Sequence, residues 1–200
     1  MQKNFTEDGI VYEALPKLVS GKNIPDLEKQ NIVYKEFLDM AIIYYVEREQ
    51  GDNTATVHVT NPMMKKASID VDTLHAYAME NMKKNVRIVS MTKLINGMMN
   101  ADFEDDPDLP MYVITNEKNR YGAAGILEKQ LLDEVVEKIG QDIVILPSSV
   151  HECIIVPLID DIKNFKDMVT SINRDHVEVE ERLTDNVYRY VDGQIVMGEE

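Results

Sequence analysis

"DIVILPSSVHECIIVP", residues 142–157, places two β-branched apolar runs on either side of Pro147-Ser148-Ser149. Each run has the length of a short strand and neither has helical periodicity. A proline followed by two small polar residues is a turn signal. Ile143 to Val156 therefore reads as a strand-turn-strand unit whose strands lie side by side and antiparallel. The fold class follows from this unit, because its neighbours repeat the pattern.

Upstream of it, "MYVIT" reads as a strand, "NEKNRYG" as a turn and "YGAAGIL" as a further strand whose glycines suggest close backbone approach. "LEKQLLDEVVEKIG" has the 3.6 period of a helix, with Leu127, Leu131, Val135 and Ile139 on one face and Gly140 as its end cap. Downstream, "DDIKNFKDMVTSIN" repeats that period through Ile162, Phe165, Met168, Val169 and Ile172. "NVYRYVDGQIVM" reads as a hairpin closed by Asp192-Gly193. The order ββα-ββα-ββ predicts an α+β fold of mostly antiparallel sheets with helices packed on them.

In the first half, "EFLDMAIIYYVERE" reads as a long strand buried on both faces, centred on Ile42 to Val46. "QGDN" is a turn and "TATVHVT" alternates, so residues 37–60 read as a hairpin. "DVDTLHAYAMENMKK" reads as a helix capped by Asp70 or Asp72, with Leu74, Tyr77, Ala78 and Met82 as its apolar stripe. Asn81 falls on the same stripe, where a polar side chain needs a backbone partner. "SMTKLINGMM" reads as a second helix, capped by Ser90 and packing Leu94, Ile95 and Met98. The acidic "NADFEDDPDLP" has no apolar period, so three segments are expected: a lobe over 1–100, an exposed linker over 101–109, and a lobe over 110–200.

With 44% hydrophobic and 28% charged residues the chain is globular rather than disordered. Its net charge of −15 opposes any phosphate backbone, so no nucleic-acid partner is expected. The charge reads first as a means of solubility, and beside that as suited to a basic protein partner. The sharper version of that reading is mimicry of nucleic acid. The one cysteine, Cys153, cannot form an internal disulfide and lies among apolar neighbours, which suits a cytoplasmic location and an inert thiol. No apolar run is long enough for a membrane span, and "MQKNFTEDG" does not read as a signal peptide.

Catalysis has one candidate place. If residues 149–156 are extended, Ser149 and His151 share a face and Glu152 points away. A Ser-His-acid arrangement would then need a carboxylate from elsewhere, since the acid must hold the imidazole from behind. No G-x-S-x-G elbow and no H-E-x-x-H pair is present. His58, His75, His151 and His176 are scattered, so no metal site is expected. Asp102, Glu104, Asp105, Asp106 and Asp108 lack the glycine and terminal glutamate of a calcium loop and read as a solvated linker. "GAAG" lacks a phosphate loop's G-K-[ST] ending, so no cofactor is expected.

"EFLDMAIIYYV", "MYVITN", "GAAGIL", "ILPSSVHECIIVP" and "EERLTDNVYRY" occur here in that order. Together they resemble an uncharacterised bacterial family, a domain of unknown function in proteins of Gram-positive anaerobes. The resemblance runs from about Ile10 to Tyr190 and implies no activity, substrate or catalytic residue. Two functions follow from the residues themselves. One is an acidic protein-interaction module; the other is a small hydrolase-like enzyme using Ser149 and His151 with a distant carboxylate.

Overall fold

A computed structural model describes residues 7–50, 53–106, 109–147 and 149–198. The chain forms two compact units that divide between Asn85 and Val86. Both are α+β, and every strand pairing in them is antiparallel.

The first unit is organised on one strand. Its elements are α1 (Glu7–Ile10), β1 (Leu15–Ser20), α2 (Ile24–Lys29), β2 (Tyr34–Phe37), β3 (Met40–Gln50), β4 (Asn53–His58), α3 (Asn61–Ala67) and α4 (Val71–Met82). β3 pairs with β1 from Leu15↔Tyr45 to Ser20↔Met40 and with β2 from Tyr34↔Ile43 to Phe37↔Met40. It also pairs with β4 from Tyr45↔His58 to Gln50↔Asn53. The seven residues Met40 to Val46 are all buried, although successive side chains point to opposite faces. Both faces must therefore be covered, as the continuous apolar run predicts. Ala41 and Ile43 pack with Val19, Leu27 and Ile32 on one side. Tyr44 meets α4 on the other, its hydroxyl 3.0 Å from His75 Nδ1.

The β3–β4 hairpin accounts for most of the expected 37–60 unit; its turn residues, Gly51 and Asp52, lie outside the described residues. β2 is an addition. It joins β3 through a tight turn at Leu38, whose φ of 56° gives no glycine to signal it. α4 begins at Asp70, whose carboxylate accepts from Thr73 N at 2.8 Å. That bond holds the Asp70 carboxyl below its usual range. Asn81 finds the expected backbone: its Nδ2 donates to Tyr12 O at 2.9 Å and Ala14 O at 3.1 Å, tying α4 to the approach to β1. Asn81→Ala should destabilise the first unit by about 1–2 kcal/mol, the range for two hydrogen bonds lost with their acceptors left in place. Urea unfolding monitored by circular dichroism measures this, and an unchanged midpoint would show the clamp to be idle.

The second unit contains β5 (Val86–Ser90), α5 (Met91–Met99), β6 (Tyr112–Asn116), a 3-10 helix (Gly122–Leu127), α6 (Lys129–Ile139), β7 (Ile143–Leu146), β8 (Cys153–Pro157), α7 (Ile162–His176), β9 (Tyr188–Val191) and β10 (Gln194–Met197). The sheet order is β10-β9-β7-β8-β6-β5. β7 and β8 pair from Ile143↔Pro157 to Leu146↔Ile154, so the opening stretch is a strand-turn-strand unit. Pro147 and Ser149 flank its bend, and Ser148 lies outside the described residues. Val144, Leu146 and Val156 pack on α7 through Val169, with Ile162 and Phe165. Ile143, Ile145, Cys153 and Ile155 lie on the alternate face. There Tyr190 donates to Asp133 of α6 at 2.6 Å and Lys138 of α6 sits 5.8 Å from the Tyr112 ring centroid. Asp192 and Gly193, with φ of 50° and 77°, make the expected turn between β9 and β10.

Two expectations change here. "GAAGIL" is not a strand; it is a 3-10 helix buried against β6 and β8. Small side chains let it pack that close: a Cβ on Gly122 would sit 2.6 Å from Thr115 Cα. The division between units also falls earlier than 101–109. "VRIVS" forms β5, which pairs with β6 from Val86↔Asn116 to Ser90↔Tyr112. The acidic stretch thus lies inside the second unit, between two paired strands; its Pro107 and Asp108 are outside the described residues.

Candidate functional site

Two places in the second unit bring together side chains that packing alone does not explain. The first is the turn before β8. Ser149 is 7% exposed and forms an isolated bridge with Arg182. Its Oγ accepts from the backbone N–H of His151 at 3.0 Å, so the hydroxyl closes the local turn. The chain is not extended from Ser149; the strand starts only at Cys153, so the expected strand face shared by Ser149 and His151 does not form. Val150 N donates to Glu181 O at 2.9 Å and anchors the turn to the segment after α7.

His151 is held from both nitrogens. Tyr121 N donates to Nδ1 at 3.3 Å. That places the neutral ring's proton on Nε2, which lies 3.2 Å from Glu181 Oε1. The ring stacks on Tyr121, with centroids 5.7 Å apart and planes at 12°. The Arg120 guanidinium lies 4.7 Å from the Tyr121 ring centroid. The carboxylate that reaches the imidazole is therefore Glu181, not Glu152. Burial pushes the Glu152 carboxyl up; His151 opposes this and Glu181 adds to it. Cys153 is fully buried, its thiol pushed far up by burial and directed at Ala123 O at 3.7 Å. A thiol so placed is protonated and unreactive.

This arrangement supplies a histidine-carboxylate pair but no activated serine. A serine nucleophile donates its proton to a free imidazole lone pair. The lone pair on Nδ1 is occupied by Tyr121 N–H, and Ser149 Oγ faces a backbone amide. In the first unit, burial and then Lys35 hold His75 below its usual value, with Asp72 opposing; its Nδ1 is hydrogen-bonded with the Tyr44 hydroxyl. Among the described residues, no group of three or more His, Cys, Asp or Glu could hold a metal ion.

The second place is α5. Ser90 caps it as expected, accepting from Lys93 N at 3.2 Å. The expected packing of Leu94, Ile95 and Met98 holds only in part: Leu94 is half-buried, Ile95 and Met98 are exposed, and none of the nine residues of α5 is fully buried. Met98 is 86% exposed and Met99 67%. Beyond Asn100, which ends the helix at φ 49°, the chain turns back. Asn96 makes it do so, donating to Phe103 O and accepting from Phe103 N, both at 2.8 Å. Phe103 itself is 57% exposed. Asp102, Glu104, Asp105 and Asp106 follow the same exposed course. Between this segment and the sheet runs a groove of about 540 Å³, lined by Ile95, Leu109, Tyr112, Asp105, Asp106 and Lys138 among others. Lys138 Nζ is held by Glu134 Oε1 at 2.6 Å. A second hollow, of about 470 Å³, lies in the first unit near Asn31, Met64 and Asp70.

A family of unknown function (DUF5688) matches residues 16–192. The chain belongs to this family. The DUF5688 match starts in β1 and ends in the β9–β10 turn, so it takes in both units, the His151 turn and the α5 groove. Nothing among the curated proteins or the solved structures matches the chain. Among the described residues no helix is long and apolar enough to cross a membrane.

Sequence reasoning missed two features of these places. Glu181 lies thirty residues from His151 and carries no spacing signal of its own. The exposure of α5 left one trace, the Met98-Met99 pair shortly before the acidic run that starts at Asp102.

Proposed function

We propose that this DUF5688 chain is a non-enzymatic protein-interaction module that works in the cytoplasm and binds a basic partner. The observation that carries this reading is α5: a helix with an apolar face and no buried residue, beside four exposed carboxylates. Apolar side chains grouped on a surface mark contact sites more often than chance exposure does. Methionine suits such a site because its flexible thioether adapts to varied partners. The charge of −15 disfavours nucleic acid and anionic membranes on the same electrostatic ground. A single buried thiol fits a reducing compartment.

The test is site-specific photo-crosslinking in cells that make the full chain. Met98→p-benzoylphenylalanine should give discrete covalent adducts with another protein. The same photo-residue at exposed Lys163, on α7, should not. Equal labelling at both positions, or none at Met98, would reject the module.

The hydrolase-like alternative has one contact in its favour, His151 Nε2 on Glu181. The engaged Nδ1 and the turn-bound Ser149 hydroxyl weigh against it. A panel of esters and amides should show no turnover that His151→Ala removes; turnover lost in that variant at an unchanged melting temperature would favour the enzyme instead.

A further inference from the structure

We propose that the α5 groove docks a cationic amphipathic segment of the partner, one in which Lys or Arg alternates with large apolar side chains at helical spacing. This rests on the module reading and names what the module takes. The groove offers two kinds of surface in one place. Ile95, Leu109 and Tyr112 form an apolar wall. Met98 and Met99 follow Ile95 at i+3 and i+4, on the same side of α5, and both are exposed. Asp105 and Asp106 stand on the rim. The cation in the wall, Lys138, already faces Glu134, so the rim's negative field is not cancelled by it. An apolar floor with an anionic rim is complementary to a helix that carries apolar residues on one face and cations beside them. The other occupants of an exposed apolar face each bring the wrong charge. A second copy of this chain carries −15, and anionic lipid and nucleic acid carry phosphate.

Charge steers such a partner and apolar contact holds it, so the two contributions can be separated. The probe is a fluorescein-labelled helical peptide of about 16 residues built from Lys and Leu, read by anisotropy against the full chain at about 150 mM salt. Saturable binding is expected. Ile95→Asp adds negative charge yet removes an apolar anchor, and should weaken binding about tenfold. The double variant Asp105→Asn, Asp106→Asn should weaken it about fivefold and flatten its dependence on salt. Both changes fall on exposed positions, and circular dichroism should show the fold intact.

Equal or tighter binding by Ile95→Asp would overturn the proposal, because it would mean attraction to net charge alone. Equal binding of a Glu and Leu peptide of the same pattern would overturn it too. So would cosedimentation with phosphatidylserine vesicles, or a dimer in sedimentation equilibrium that Ile95→Asp abolishes. If Met98 crosslinks to a protein but the Lys and Leu peptide does not bind, the module stands and this partner class falls. If neither occurs, both fall.

Discussion

Gly122→Ala should unfold or severely weaken the second unit, by about 3 kcal/mol or more. A Cβ at this position would stand 2.6 Å from Thr115 Cα, 2.7 Å from Asn116 N and 2.8 Å from His151 O. All three are backbone atoms of β6 and of the turn before β8. No side chain can rotate away to make room, so the 3-10 helix, β6 or the turn itself must move. The same substitution at Gly97 is the control, since nothing lies within 4 Å of a Cβ there. Gly97→Ala sits within α5 and should be neutral or stabilising by up to about 1 kcal/mol. Guanidinium unfolding of the two variants measures the contrast. Matching midpoints would mean that Gly122 is not where the backbones meet.

Ile155→Ala should cost about 2–5 kcal/mol, the range for a large side chain removed from a closed interior. Ile155 is fully buried on β8, opposite Ile145 of β7 on one side and Tyr112 of β6 on the other. The cavity would open in the middle of the sheet, where neighbours on both strands are fixed by pairing. His151→Ala should cost less, about 1 kcal/mol, because one partner, Glu181, is about half exposed and the bond from Tyr121 N is long at 3.3 Å. Thermal melts of both variants decide. If His151→Ala is the more damaging, the ring is a structural keystone rather than a turn residue.

The contrast between what could and could not be read from the chain has a physical pattern. β3, β7 and β8 were legible because strands covered on both faces are written as unbroken apolar runs. The Asp70 and Ser90 caps, the Gly140 stop and the Asp192-Gly193 turn are local chemistry and needed no distant partner. β2 and β5 were not legible: "YKEF" and "VRIVS" are short, mixed in polarity, and become strands only because β3 and β6 present edges to them. The same non-local pairing displaced the division between units, since an acidic stretch without period looks like a boundary whether or not its flanks are joined. The glycines of "GAAGIL" signalled close approach, but closeness does not say strand or 3-10 helix. At the site, the proximity of Ser149 and His151 was visible and Glu181 was not. For α5, periodicity showed an apolar face but could not show whether anything lay over it.

The pairing of β5 with β6 has a consequence for how this surface can change. Residues 91–111 leave the sheet at Ser90 and return at Tyr112, a directly opposed pair. Met91 N donates to Met111 O at 2.8 Å, which closes the base of the excursion. The entropy of closing a loop grows only with the logarithm of its length, so doubling such a segment costs only about 0.6 kcal/mol. Helix, acidic return and groove rim can therefore be lengthened, shortened or rewritten while the five rungs beneath them stay in register. The excursion is a replaceable cassette, and its sequence can drift separately from the stability of the sheet that carries it.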